Sequence, residues 1–263
     1  MDLQKITEQV VNLCRQTGEW IQQQIVTLDE TDVMYKGTHN LVTYVDKTAE
    51  KMLIETLSKL VPEAGFIAEE DDQLERKKKF NWIVDPLDGT TNFIHKLAPF
   101  SISIALTDGD QTVSGVVYEI NLKEAFYAWH GGSAMLNGTI IHVSDTPILD
   151  KALLATGFPY YDYSKLDAYL LLFKEMMVNS RGVRRLGSAA VDLAYVAAGR
   201  FELFYEYGLN PWDVAAGAFI VQQAGGKITT FSGDNNYVFG KEIVASNGRV
   251  HQEFLTYLKR SFQ

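Results

Sequence analysis

The sequence predicts a mixed α+β / α/β protein in which helices and sheets stack in layers. Residues 80–129 hold four strand-like runs joined by short turns, the pattern of an antiparallel sheet. From about residue 145, strand-like and helix-like runs alternate instead, as in α/β layers. Over 263 residues, 46% hydrophobic and 22% charged content suffices for a sizeable core and argues against disorder.

The elements follow in order. Leu3, Ile6, Val10, Leu13 and Ile21 recur at helical spacing, so a long amphipathic helix is expected over 2–25. A second helix is expected from about Asp46 to Leu60, with Ala49, Met52, Leu53, Leu57 and Leu60 on one face and Pro62 beyond its end. The period then changes: "FNWIV" (80–84), "SISIAL" (101–106), "TVSGVVYE" (112–119) and "EAFYAW" (124–129) read as strands. Asp108-Gly109, Asn121 and Gly131-Gly132 turn the chain between them. In the second half, strands are expected at 151–156, 183–186, 201–207, 227–231 and 242–246. Helices are expected at 165–178, 188–198, 212–224 and 250–260. No low-complexity linker intervenes, so 1–145 and 146–263 are expected to pack tightly as one catalytic unit.

The formal net charge is −9 and basic residues form no long run. "ERKKKF" (75–80) follows Asp71 and Asp72 closely and reads as a solvated loop, because nucleic-acid binding needs a broad basic surface. The lone Cys14 excludes an intrachain disulfide and fits a buried apolar position. The first residues lack a signal-peptide layout, and no run approaches the ~18 apolar residues of a membrane span. A cytoplasmic protein is expected. The histidines (39, 95, 130, 142 and 251) are scattered, and surface roles are expected for them.

Chemistry gathers where apolar runs end on acids. In "WIVDPLDGTTNF" (82–93), a strand delivers Asp85, Pro86 has no N–H to extend the ladder, and Asp88 returns toward the same point. If a helix begins at Gly89-Thr90-Thr91, its free amides suit phosphate, while paired carboxylates suit magnesium. An Asp-Gly turn with Asp88 as helix cap is the plainer alternative. Asp213, in "NPWDVAAGAFIVQQAGG", opens a helix that must be buried all round, since Val214 to Val221 carry no charge. Glu69 and Glu70 end "GFIA", and Asp46 stands at a helix start as a possible cap. Each acid alone has a structural explanation. Four such segments together are the arrangement in which several elements bring carboxylates to one metal cluster. Zinc motifs, a P-loop and an EF-hand loop are all absent from the sequence. The run "GSAAVDLAYVAAG" suits close helix packing or a backbone-lined pocket.

"WIVDPLDGTTNF" and "PWDVAAGAFIVQQAGG" resemble the two signature motifs of the inositol monophosphatase family, the lithium-sensitive, magnesium-dependent phosphatases. "KGTHNLVTYVDKTAEKMLIETL", "FIAEE" and "RRLGSAAVDLAYVAAGRFELFYEYG" extend the resemblance over most of the chain. It implies a layered α-β-α-β-α sandwich of the inositol monophosphatase and fructose-1,6-bisphosphatase type, usually a homodimer, with two to three magnesium ions per site. Residue by residue, it implies that Glu69, Asp85 and the Leu87 carbonyl hold one magnesium and that Asp85, Asp88 and Asp213 hold a second. A third, weaker ion would sit near Glu69. Asp46 and Thr90 would orient the attacking water, with Glu69 beside them. Gly89 and Thr90 would offer amides to phosphate, and Lys36 would lie near the site. Glu206, Asp88, Asp213 and the Gly187-Ser188-Ala189 segment would meet the inositol. Ala68 departs from the glycine common before the two glutamates.

The resemblance leaves specificity open among inositol phosphates, fructose bisphosphate, histidinol phosphate, adenosine 3',5'-bisphosphate and the 2'-phosphate of NADP. Glu206 and "RRLGSAA" favour inositol phosphate. Some relatives also act as RNA-associated or transcription-complex factors, a reading opposed by the acidic balance and the full carboxylate set.

Overall fold

The computed structural model describes residues 1–25, 33–37, 40–71, 73–159 and 162–262, with the backbone alone for 33–37 and 40–42. Helix α1 (Leu3–Gln24) starts on Asp2, whose carboxylate accepts the Lys5 amide at 3.0 Å. Its apolar stripe buries Val10, Leu13, Cys14 and Ile21. Strands β1 (Val33–Gly37) and β2 (Asn40–Thr43) form a separate antiparallel pair. Helix α2 (Tyr44–Leu60) begins two residues before the expected Asp46. Thr43 is its cap, and Asp46 is the third residue, closing a reciprocal capping box with Thr43. The expectation of Asp46 as the cap is thereby corrected.

The first sheet runs in sequence order: β3 (Gly65–Ala68), β4 (Phe80–Asp88), β5 (Ser101–Asp108), β6 (Gln111–Glu119), β7 (Glu124–Trp129), β8 (Met135–Leu136) and β9 (Thr139–Ile140). Its pairings are antiparallel except β3 with β4. Those two are linked by the long 69–79 connection, which lets the chain return in the same direction. β8 and β9 are two residues each, too short to leave a periodic signal in the sequence. A short helix, α3 (Thr90–Ile94), follows β4 directly.

The second sheet contains β10 (Leu153–Thr156), β11 (Gly182–Arg184), β12 (Leu203–Tyr207), β13 (Lys227–Thr229) and β14 (Glu242–Ser246). Their spatial order is β11-β10-β12-β14-β13. β10 is parallel to β11 and β12, while β14 is antiparallel to its neighbours. A 3-10 turn over Leu149–Lys151 takes up Lys151, the first residue assigned to β10 from sequence. The remaining helices are α4 (Leu166–Val178), α5 (Ala189–Ala197), α6 (Pro211–Gln223) and α7 (His251–Ser261).

Among the described residues, three apolar cores define five layers. One joins α1 and α2 to the first sheet through Leu13, Leu53, Trp82 and Ile104. A second joins α5 and α6 to both sheets through Ile83, Val117, Phe204 and Ile243. The third joins the far face of the second sheet to α4 and α7 through Leu154, Tyr205, Leu172 and Phe254. The order is therefore α-β-α-β-α. Val214 through Val221 are all buried, as a helix between two sheets requires. Cys14 is buried, and residues 75–79 form an exposed loop. His95, His130 and His142 are exposed, but His251 is buried, which corrects its expected surface role; His39 lies outside the described residues. Among the described residues, no helix is long and apolar enough to cross a membrane.

Candidate active site

The site begins with a defect in β4. Asp85 pairs with Ser103 and Asp88 with Ser101, so β4 advances three residues where β5 advances two. The extra residue is a β-bulge, and Pro86 sits inside it, where no ladder amide is needed. The strand therefore does not stop at Asp85, as the proline suggested, but resumes at Asp88. In a regular strand, residues three apart face opposite ways. The bulge turns both carboxylates to one side. The Leu87 amide fixes this turn by donating to Asp85 Oδ1 at 2.9 Å.

Asp213 arrives from the middle helix layer. It is the third residue of α6, and its Oδ2 accepts the Asn210 amide at 2.6 Å, with Pro211 opening the helix between them. Carboxylate oxygens of Asp85, Asp88 and Asp213 lie within 4.8 Å of one another. Burial above all, then Glu69, Asp88 and Asp213, pushes the Asp85 carboxyl well above the ordinary range. Burial and Asp88 raise Asp213 likewise. Asp88 is pushed up to about 6 by burial, opposed by hydrogen bonds from Ser188 and Ala190. Three carboxylates so close, one buried and two half-buried, repel one another strongly unless a cation lies among them. Their donors are all hard oxygen, which fits magnesium rather than zinc. Glu69, directly after β3, lines the same pocket and so fits as a further ligand.

Asp46 reaches the site from the outer layer, 1% exposed. Its Oδ2 accepts the Thr43 amide at 2.8 Å and the Thr43 hydroxyl at 2.6 Å, leaving Oδ1 for Thr90 at 2.9 Å. Burial raises its pKa, opposed by these hydrogen bonds. Thr90 Oγ1 also lies 3.0 Å from the Leu87 carbonyl oxygen, so its single proton has two acceptors. Gly89 precedes α3 with φ of 94°, a left-handed conformation that favours glycine.

On the other wall, Ser188 caps α5 and donates to Asp88 Oδ2 at 2.6 Å, while the Ala190 amide donates to the same oxygen at 2.8 Å. Asp88 is thus held at the start of α5. Glu206, on β12, is pushed up to about 8 by burial, moderated by Arg185. Its carboxylate lies where a side chain on Gly157 would be, 2.0 Å from an ideal Cβ, so any larger residue there would displace it. Glu69, Asp88, Gly89, Thr90, Glu206 and Asp213 share one solvent pocket of about 150 Å³, with Gly187, Ser188 and Ala189 also on its wall. Lys36 lies on β1, but its side chain is outside the described residues.

Four residues that sequence reasoning missed belong here: Asn92, Gly157, Arg185 and Asp192. Asn92 Nδ2 donates to the carbonyls of Pro99 and Leu186, at 2.8 Å each, tying α3 to the segment before Gly187. A buried asparagine inside "TTNF" was the one available signal. Arg185, Gly157 and Asp192 line the pocket through contacts distant in sequence.

The five layers and the acidic pocket between the sheets define an α+β sandwich of the kind built around a converging carboxylate site. A profile of the inositol monophosphatase family matches residues 2–262, and the chain belongs to that family of the phosphatase superfamily. A "Nus factor SuhB" of Escherichia coli (strain K12) is 41% identical over 250 residues, covering 95% of this chain and 94% of its own. The extragenic suppressor protein suhB of Bartonella henselae superposes with a TM-score of 0.89 at 36% identity, covering 95% and 97% of the two chains. A Thermotoga maritima IMPase superposes with a TM-score of 0.87 at 35% identity, covering 97% and 96%.

Proposed function

We propose that the chain is a magnesium-dependent phosphomonoester hydrolase that converts an inositol phosphate and water to inositol and phosphate. The observation that carries this reading is the carboxylate trio of Asp85, Asp88 and Asp213, with Thr90, bonded to Asp46, lining the same pocket as Asp88 and Asp213. Asp85, Asp88, Asp213, Glu69 and the Leu87 carbonyl would hold the ions. When bound, magnesium supplies charge neutralisation for the phosphoryl oxygens and acidifies water for attack.

The chain's own residues do the positioning. With Asp46 Oδ2 already bonded to Thr43, its Oδ1 draws the Thr90 proton. The Thr90 oxygen then turns its lone pairs outward as an acceptor for the attacking water. That water forms a bond to phosphorus as the ester P–O bond breaks; it gives up one proton and the leaving alkoxide takes one up, so the products are the free hydroxyl and phosphate. Amides of Gly89 and Thr90 face the phosphate, and Glu206 with the Gly187-Ser188-Ala189 segment receives the polyol. A homodimer is the assembly proposed.

Asp88→Asn and Asp213→Asn are expected to cut phosphate release from inositol 1-phosphate by orders of magnitude and to raise the magnesium needed for half-maximal rate. A variant with full turnover at limiting magnesium would sink the assignment. Fructose 1,6-bisphosphate, NADP and adenosine 3',5'-bisphosphate, measured alongside, rank the alternative substrates.

The relatives named Nus factor support a second reading, a transcription-complex role. The densest basic segment gives it little surface, since Lys77 pairs with Glu75, Lys79 lies over Phe80 and Arg76 over Phe239. RNA binding that persists in Asp88→Asn would favour it.

A further inference from the structure

Asp192 stands in the first turn of α5 and is 1% exposed. It lines the wall of the pocket, and its Oδ1 has no hydrogen-bond partner among the described residues. The main chain there is ordinary: the Asp192 amide donates to the Ser188 carbonyl at 3.0 Å. Only the side chain is unsatisfied. The nearest hydroxyl of the same helix start, Ser188 Oγ, is given to Asp88. Neighbouring Val191 and Leu193 are wholly buried, so an apolar residue would suit α5 at this position as well. Its charged neighbours are Glu206 and Asp88, with Arg185 as the cation.

An orphaned buried acceptor weakens the fold that carries it, and a ligand supplying the missing donor recovers the loss. We propose that Asp192 is a substrate-binding residue that selects the leaving group, accepting a hydrogen bond from a hydroxyl of the phosphorylated polyol beside Glu206. The contact is direct or passes through one bound water. The inference rests on the reading of the pocket as a polyol-phosphate site. It adds a specificity element: a leaving group without a hydroxyl there leaves the carboxyl unpaired and is bound less well.

The test compares the magnesium-loaded wild type with Asp192→Ala and Asp192→Asn on inositol 1-phosphate and on p-nitrophenyl phosphate, whose leaving group has no aliphatic hydroxyl. Asp192→Ala is expected to raise KM for inositol 1-phosphate by about tenfold or more, with kcat within about threefold. Asn keeps an acceptor oxygen and is expected to raise it less. Turnover of p-nitrophenyl phosphate should stay within about twofold, and Tm should hold or rise by a few degrees. A fall in Tm with equal losses on both substrates assigns Asp192 a structural role and overturns the proposal. An unchanged KM for inositol 1-phosphate overturns it too. If the wild type releases phosphate from neither compound, the phosphatase reading itself has failed.

Discussion

His251 opens α7 inside the protein, with Nε2 3.0 Å from Thr229 Oγ1 and Nδ1 2.8 Å from Ser246 Oγ. Burial, helped by Lys227, pushes its pKa down to about 4. Unfolded, it titrates near 6.5, so between those values the unfolded chain binds the additional proton. Stability contributed by the neutral ring is complete above about pH 6.5 and is lost as pH falls toward 4, by up to about 3 kcal/mol. Urea unfolding of the magnesium-saturated protein should show this slope, and His251→Gln should flatten it; equal slopes in both would count against the account. The residue scale also shows what a sequence can disclose. Asp85, Asp88, Asp213 and Glu69 were legible because an acid ending an apolar run is costly without a purpose. Asp192 and His251 were not, because each sits in an ordinary helical pattern and its setting is revealed by partners on other elements, Glu206 for the one and Thr229 for the other.

At the level of elements, the site depends on where α6 is pressed. An ideal Cβ on Gly115 of β6 would fall 2.8 Å from the Ala216 carbonyl oxygen and 3.1 Å from its Cα, while one on Gly217 would fall 2.6 Å from the Leu193 Cβ. Helix α6 therefore lies against sheet backbone on one side and α5 on the other, and its first turn presents Asp213 to the pocket. Gly115→Ala must push helix backbone rather than a flexible side chain, so a loss of about 1–3 kcal/mol is expected in denaturant unfolding. The displaced Asp213 should also raise the magnesium requirement. Wild-type values of both would show that the close approach is not needed. The sequence marks α6 as buried all round through its uncharged run, yet gives no hint that Gly115 is its seat. In "TVSGVVYE" that glycine looks like a weak point of a strand. The bulge is similar: Pro86 signals an interruption, but only the pairing of Asp88 with Ser101 shows the ladder resuming.

For the whole molecule, the site draws on four of the five layers: Asp46 from the outer helices, Asp85 and Asp88 from the first sheet, Asp213 from the middle helices and Glu206 from the second sheet. Burial first and mutual repulsion second lift the carboxyl pKa values, and both work against this convergence and so oppose docking of the layers. A divalent cation reverses the sign, turning the seam of repulsion into a tie between layers. Binding that requires the folded site adds stability by mass action, about 2.7 kcal/mol for one ion at a hundred times its Kd. For a chain of this size that is a rise in Tm of roughly 5–10 °C on adding magnesium, undone by a chelator. Asp85 is the acid most hemmed in by others, so Asp85→Asn should separate the two effects. Without magnesium it should melt at or above the wild-type temperature, because one repelling charge is gone. With magnesium it should gain little, because a shared ligand is gone too. A wild type indifferent to magnesium, or an Asp85→Asn variant with the full magnesium shift, would show that the carboxylates are not held together by a cation.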